Sequence, residues 1–327
     1  MEPARGTWVT EGLIALALGL LWGFTFLAIK WGLRDAGPLT LAALRVLIGA
    51  IGLIVVAWRG AGPMPMSGRA HRQIAAVGLI QVAAFSAFLN LGTSRAGIGV
   101  ASLIVYSQPA IVAVLAVVWL GERLRGVQVA RVLLGLAGLV LVVSGQIGVE
   151  AAIPWSSYLL LAGAALAWAV GAMLFRRLKP ALPFLWAIAL QTIYGGIPIG
   201  IAAVVIEGPE VRVTARLVAL SLFLGFGASG LAYLLWFRLL TGPSAVAAST
   251  SLLLVPLCAA VFGSVALRET WTALSVAGAS CIVGSIFLVN RGLSPAGRPG
   301  DEPRPKRESE PIAMVPSGRG SSWRRGR

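Results

Sequence analysis

The sequence predicts an all-α integral membrane protein of ten transmembrane helices, built as two five-helix repeats that lie upside down relative to one another. Three observations predict it: composition, a succession of apolar stretches, and a likeness between the two halves. Of 327 residues, 57% are hydrophobic and 12% charged, against roughly 45–50% and about 25% in soluble domains. Mean hydropathy is +0.86. A helix needs roughly 20 apolar residues to cross a bilayer core about 30 Å thick, and residues 12–290 hold ten such spans with short connections. A spanning backbone must satisfy its hydrogen bonds internally, so helices follow. No period-two strand pattern competes.

The first span, 12–31, follows a short cytoplasmic segment, 1–11. Its apolar run is longer than a signal-peptide core, and no small-residue cleavage site follows it. The second, 39–58, carries Arg45 on one helical face with Ala42, Gly49 and Gly52. A basic loop with Arg69, His71 and Arg72 leads to the third, 73–92, which holds Gln81. The fourth, 98–119, contains Ser102, Tyr106, Gln108 and Pro109, and Glu122 follows its end. The fifth, 127–146, closes the first repeat, 12–146. Spans 155–175, 184–206, 216–238, 244–266 and 272–290 make the second repeat, 155–290. They carry Trp168, then Gln191 and Tyr194, then Trp236, then Thr250, Ser251 and Pro256. Residues 291–327 have nine basic and four acidic residues, six Pro and six Gly. With no apolar period they read as a disordered basic tail, solvated or weakly drawn to anionic lipid heads.

Basic residues set the orientation. With the N-terminus in the cytoplasm, inner connections hold Arg59, Arg69, Arg72, Arg123, Arg125, Arg131, Arg176, Arg177, Lys179 and Arg238, ten against six outside. Both termini then lie in the cytoplasm of a cell membrane. The formal charge of +15 is thereby explained by loops and tail, and nucleic acid is not an expected partner. Cys258 and Cys281 both fall in spans and read as buried small hydrophobes rather than as a disulfide or metal pair.

The halves align. At an offset of 147, residues 101–142 share 12 identities in 42 positions with 248–289, including Pro109 with Pro256 and Glu122 with Glu269. At 146, Trp22 meets Trp168, Arg45 meets Gln191 and Gly49 meets Gly195. Five spans are an odd number, so the second copy enters the membrane from the other side. Inverted repeats of this type recur in secondary transporters, with the site near the midplane at the repeat interface.

The segments LLWGFTFLAIKWGL and LTLAALRVLIGA, with ASLIVYSQPAIVAVLAVVWLGERL and its second-half counterpart ASTSLLLVPLCAAVFGSVALRET, resemble the EamA type of the drug/metabolite transporter superfamily. The second copy departs from the pattern at Arg268, where Gly is expected. The resemblance covers about 12–290. It implies two EamA repeats forming a carrier of small metabolites, without fixing which one.

Candidate site residues follow from cost. A charge inside a span is expensive, and Arg45 is the charge well inside one. It reads as a counter-charge for a cargo carboxylate, or as a structural arginine bonded to carbonyls. Trp22 and Trp168 fall mid-span and read as cavity wall or core, whereas Trp8, Trp58, Trp236 and Trp271 sit near span ends, as interfacial tryptophans do. Gln81, Ser102, Tyr106, Gln191, Tyr194, Thr250 and Ser251 complete the set. Tyr106 and Gln108 are two apart on a helix, so one of them faces the cavity, and sharing a face with Ser102 favours Tyr106. Pro109 and Pro256 interrupt their helices and free backbone carbonyls, which can line a site or serve as bends, a simple kink being the preferred reading. Gly19 with Gly23, and Gly196 with Gly200, have the spacing of close helix contacts.

All twelve carboxylates lie in tails, loops or span ends, and His71 lies in a loop, so no midplane proton relay is expected. Transport would be facilitated diffusion, exchange, or coupled at the rim. No acidic cluster, Walker A loop or HExxH motif points to an enzyme, and no cofactor is expected. A flippase for a lipid-linked sugar or polyprenyl carrier is the alternative. The expected partners are a small-molecule substrate, a zwitterionic or anionic metabolite expected to be exported, and the lipid bilayer; monomer and homodimer stay open.

Overall fold

The structure, a computed structural model, describes residues 5–96, 98–121, 126–144, 154–209, 211–241, 248, 252–267, 272–274, 276–281 and 284. Among the described residues every regular element is helical. The helices are α1 Arg5–Gly32, α2 Pro38–Ala61, α3 Gly68–Arg95, α4 Ile98–Val105, α5 Gln108–Leu120, α6 Gly126–Ser144, α7 Trp155–Leu178, α8 Phe184–Glu207, α9 Ala215–Leu240 and α10 Leu254–Leu267. Six are long and apolar enough to cross a membrane: α1 from Thr10, α2, α3, α7, α8 and α9. The chain is a multi-pass membrane protein. The expected fourth span is split into α4 and α5; of the expected tenth, 272–290, the described residues are 272–274, 276–281 and 284, helical at 273–274, 276–281 and 284, and the tail lies outside the described residues.

Helix ends repeat as the helices do. Pro38 takes an opening position of α2, where a missing N–H is no loss. Gly62 and Gly208 close α2 and α8 at φ 70° and 80°, a region glycine enters freely, and they are 146 residues apart. Ser67 and Thr214, 147 apart, cap α3 and α9 by accepting from Ala70 N–H and Leu217 N–H. Both capped helices contain a π-helical segment, Gly78–Ala84 in α3 and Phe223–Leu231 in α9. Such segments concentrate at functional sites.

The repeat mates α2 and α8, 24 residues each, pack antiparallel along their length. Leu39 and Thr40 at the start of α2 donate backbone N–H groups to the Glu207 carboxylate ending α8, at 2.7 and 2.8 Å. Leu47 meets Gly196 and Gly200 in the middle. At the other end Trp186 Nε1 donates to Gly62 O at 3.0 Å. A π segment flanks each side of this pair. A Cβ on Gly49 of α2 would lie 2.7 Å from Gly225 O in α9, and one on Gly195 of α8 would lie 2.6 Å from Gly78 O in α3. The same backbone contact thus occurs twice with the repeats exchanged. α1 and α7 show the exchange too: Gly19 and Gly23 of α1 press on Leu254, Cys258 and Ala259 of α10, while α7 packs on α5.

A clasp joins the α1–α2 connection to the start of α9. Arg216 Nε and Nη2 donate to the two Asp35 carboxylate oxygens at 2.8 Å each, and Thr214 Oγ1 donates to one of them at 3.0 Å. Those Arg216 hydrogen bonds, the largest influence, hold the Asp35 carboxyl below its ordinary range.

Two expectations follow. Gly49→Ala and Gly195→Ala force a methyl against backbone and should each cost about 1–3 kcal/mol, read as a lowered thermal midpoint in detergent. Gly68→Ala, with nothing within 4 Å of the new Cβ, should leave it unchanged. For the clasp, a lowered folded pKa stabilises above the unfolded carboxylate value of about 3.9 and is lost as pH falls through the folded one. The wild-type midpoint should therefore lose the clasp contribution only in acid, below about pH 4. Asp35→Asn should lower the midpoint at neutral pH and flatten that acid dependence.

Candidate functional site

Trp22 on α1 and Trp168 on α7, mates in the two repeats, meet edge to face with ring centroids 5.2 Å apart and planes at 90°. Phe85 of α3 packs on Trp168 at 4.7 Å. Tyr233 and Trp236 of α9 press on both tryptophans, Trp236 at 5.6 Å from Trp168 and 6.3 Å from Trp22. Trp236 was expected at the membrane interface by its place near a span end; it is instead fully buried. Aromatic partners on two neighbouring helices explain this, since such pairs gain beyond simple burial.

Of these rings, Trp22, Phe85 and Trp168 border a cavity of about 360 Å³, measured out through its mouth, while Tyr233 and Trp236 stand behind them. The first repeat supplies Trp22, Thr25 and Phe26 from α1, Arg45 from α2, and Phe85 and Leu89 from α3. Val105, Tyr106 and Gln108 come from the α4–α5 junction, and Trp168 from the second repeat. Tyr106 and Gln108 both line it. The expectation that only one would do so assumed a continuous helix, but α4 stops at Val105 and α5 starts at Gln108. In the turn between them Ser107 Oγ donates to Ile104 O at 2.7 Å. Pro109 therefore opens α5 at a helix break instead of kinking a continuous span. Pro256 likewise falls in the first turn of α10.

Arg45 is 1% exposed. Its Nε donates to Ser229 Oγ in the π segment of α9 at 3.3 Å, and its Nη1 has no hydrogen-bond partner among the described residues. Trp22 Nε1 donates to Ala228 O in that same π segment at 2.8 Å. Trp168 Nε1 and Gln108 Oε1 are buried without partners among the described residues. The wall is thus mostly apolar and aromatic, with a few open polar atoms. A buried cation with an unused donor is costly unless something pairs with it.

The other candidates lie elsewhere. Gln81 and Gln191 are fully buried in the seam of α3, α7 and α8, Gln81 against Gly171 and the Gln191 carbonyl against Gly78. Ser102 is buried in α4 and does not line the cavity. Tyr194 sits at the end of the bundle where α3 begins, its hydroxyl 2.6 Å from His71 Nδ1. His71 is in the first turn of α3, not in a loop, with Nε2 donating to Pro65 O at 2.7 Å. Thr250, Ser251, Glu122 and Glu269 lie outside the described residues. Sequence reasoning missed Ser229 and the Ala228 carbonyl. The run of small residues from Gly227 to Gly230 was the available signal, marking a place where another backbone comes close.

Residues 10–144 and 155–291 each match the family described as EamA-like transporter family. A chloroplastic WAT1-related protein of Arabidopsis thaliana is 29% identical over 302 residues, 89% of this chain and 71% of its own length. A Salmonella typhimurium protein named "Probable amino-acid metabolite efflux pump" is 27% identical over 296 residues, 85% of this chain and 94% of its own. One solved crystal structure superposes with a TM-score of 0.73 at 22% identity, covering 86% of this chain and 98% of its own, and shows the same fold.

An arginine held for structure and one held for a ligand respond oppositely to an apolar replacement. Since Arg45 makes one long hydrogen bond and leaves Nη1 open, Arg45→Met should keep the fold and hold or raise the thermal midpoint. A large fall would mark Arg45 as structural.

Proposed function

The chain belongs to the EamA-like transporter family, and from that premise we propose that it is a secondary transporter exporting a small metabolite, an amino acid or a related compound, by alternating access at the repeat interface. The observation that carries this reading is the cavity itself. It is walled by both repeats and, among the described residues, holds a buried arginine with an open donor and no carboxylate in its lining. The Salmonella relative's name points to the same cargo class.

In this proposal the repeats are five-helix units, 12–146 and 155–290, giving ten membrane helices with both termini in the cytoplasm of the cell membrane. Antiparallel packing of the mates α2 and α8 supports the inversion, because a two-fold axis in the membrane plane relates equivalent helices that way. Cargo and bilayer are then the partners, with no chemistry performed on the cargo and no cofactor. In this proposal the helices around the cavity part to admit and release cargo. Among the described residues no aspartate, glutamate or histidine lines the cavity, which favours exchange, facilitated diffusion or coupling at the rim.

Counterflow in proteoliposomes tests the reading. Labelled amino acids and related carboxylates should accumulate against a preloaded pool, and Arg45→Ala should cut that flux tenfold or more, the scale of a lost charged contact. Uptake that ignores Arg45→Ala removes the counter-charge role. No flux for any soluble metabolite, with scrambling of a lipid-linked sugar, would make the protein a flippase.

A further inference from the structure

The two repeats treat equivalent donors differently. Trp22 Nε1–H is taken by Ala228 O in the π segment of α9. By the repeat offset, the mate of that carbonyl lies at Gln81 or Val82 in the π segment of α3. Trp168, the mate of Trp22, does not bond it: its N–H has no partner among the described residues although the ring is 3% exposed. Arg45 departs in the same way. Its mate Gln191 is buried in a helix seam, while Arg45 lines the cavity with Nη1 open. Two buried donors without acceptors therefore border one cavity. Gln108 Oε1, neutral and buried, is the open acceptor beside them.

We propose that Arg45 Nη1 and Trp168 Nε1 together bind the carboxylate of the cargo, and that the site selects for this carboxylate and not for the ammonium of an amino acid. The proposal rests on the transport reading above and narrows its substrate class. A carboxylate brings two strong acceptors for two open donors, one of them charged. Among the described lining residues an ammonium finds no carboxylate, only the neutral oxygens of Gln108, Thr25 and Tyr106 and aromatic faces, and a hydroxyl can satisfy the Gln108 carbonyl as well. Deaminated and 2-hydroxy acids should thus bind like the amino acid. An amine without a carboxylate puts a second cation beside Arg45 and should be refused.

The test uses purified protein in detergent and four probes with one side chain: leucine, 2-hydroxy-4-methylpentanoate, 4-methylpentanoate and 3-methylbutylamine. The three carboxylates should raise the wild-type thermal midpoint with similar half-saturation, and the amine should not. Trp168→Phe keeps a ring and removes the donor, and should weaken all three carboxylates about tenfold. Trp236→Phe removes an equally buried, unpartnered indole N–H outside the cavity lining, and should leave binding intact. Binding of the amine as tight as the acids, binding of none of the four, or equal effects of the two tryptophan variants would overturn the site. Where Trp168→Phe does not fold, the probe ranking on wild type decides alone. Counterflow of the same probes separates the two readings: carboxylate binding without flux sinks transport and keeps the site, while flux that includes the amine does the reverse.

Discussion

Backbone meets backbone where Gly49 touches the π segment of α9 and where Gly195 touches the π segment of α3, and the cavity depends on those two contacts. Between helices in lipid there is little hydrophobic drive, so association rests on close packing and small residues. A π turn also leaves backbone carbonyls outside the regular i→i−4 pattern. The segment that receives Gly49 is the one that offers Ala228 O to Trp22 and Ser229 Oγ to Arg45. Packing and site are thus one arrangement. The glycine contact fixes α2 against α9, and the π segment then sets where the Trp22 ring and the Arg45 guanidinium stand.

Duplication would by itself yield two equal half-sites. The scaffold keeps that equality, in paired helix lengths, paired caps and paired π segments. The polar atoms do not. Arg45 faces the cavity and Gln191 does not; Trp22 is hydrogen-bonded and Trp168 is open. Charge inside a span is expensive enough that its placement on one repeat only calls for a reason other than packing. An asymmetric cargo, with a charged end and an apolar body, has use for an asymmetric lining.

How much could be read beforehand depended on whether a feature is carried by pattern or by geometry. Apolar runs of about 20 residues declare helices, and the Pro109–Pro256 and Trp22–Trp168 pairs declare a repeat whose mates α2 and α8 match end for end. Arg45 stands out because a span tolerates few charges. The turn at Tyr106 and Ser107 was hidden, because a proline after an apolar run marks a kink and a restart equally well, and that ambiguity misassigned Gln108. Trp236 and His71 were misplaced for another reason: distance from a span end says nothing about which neighbour a ring will find. Asp35 and Glu207 looked like ordinary loop acids, since their partners Arg216 and the start of α2 lie some 170–180 residues away in the chain.

Where such a bundle can open is constrained by the same contacts. The α2–α8 pair carries hydrogen bonds at both ends, from Leu39 and Thr40 to Glu207 and from Trp186 to Gly62, with glycine contacts between. Parting it breaks the charge-assisted bonds to Glu207 at one face or the Trp186–Gly62 bond at the other, so it suits a fixed spine better than a gate. The exchanged pairs α1 with α10 and α7 with α5 are the alternative. They border the cavity through Trp22 and Trp168, and Gly19 and Gly23 give α1 a smooth face on which Cys258 can shift. Repeat exchange turns one pair into the other, so under the proposed alternating access the two pairs would serve openings at opposite faces. In that proposal the scaffold shared by the two repeats, and not their unequal polar atoms, carries the motion that exposes one pocket to each side in turn.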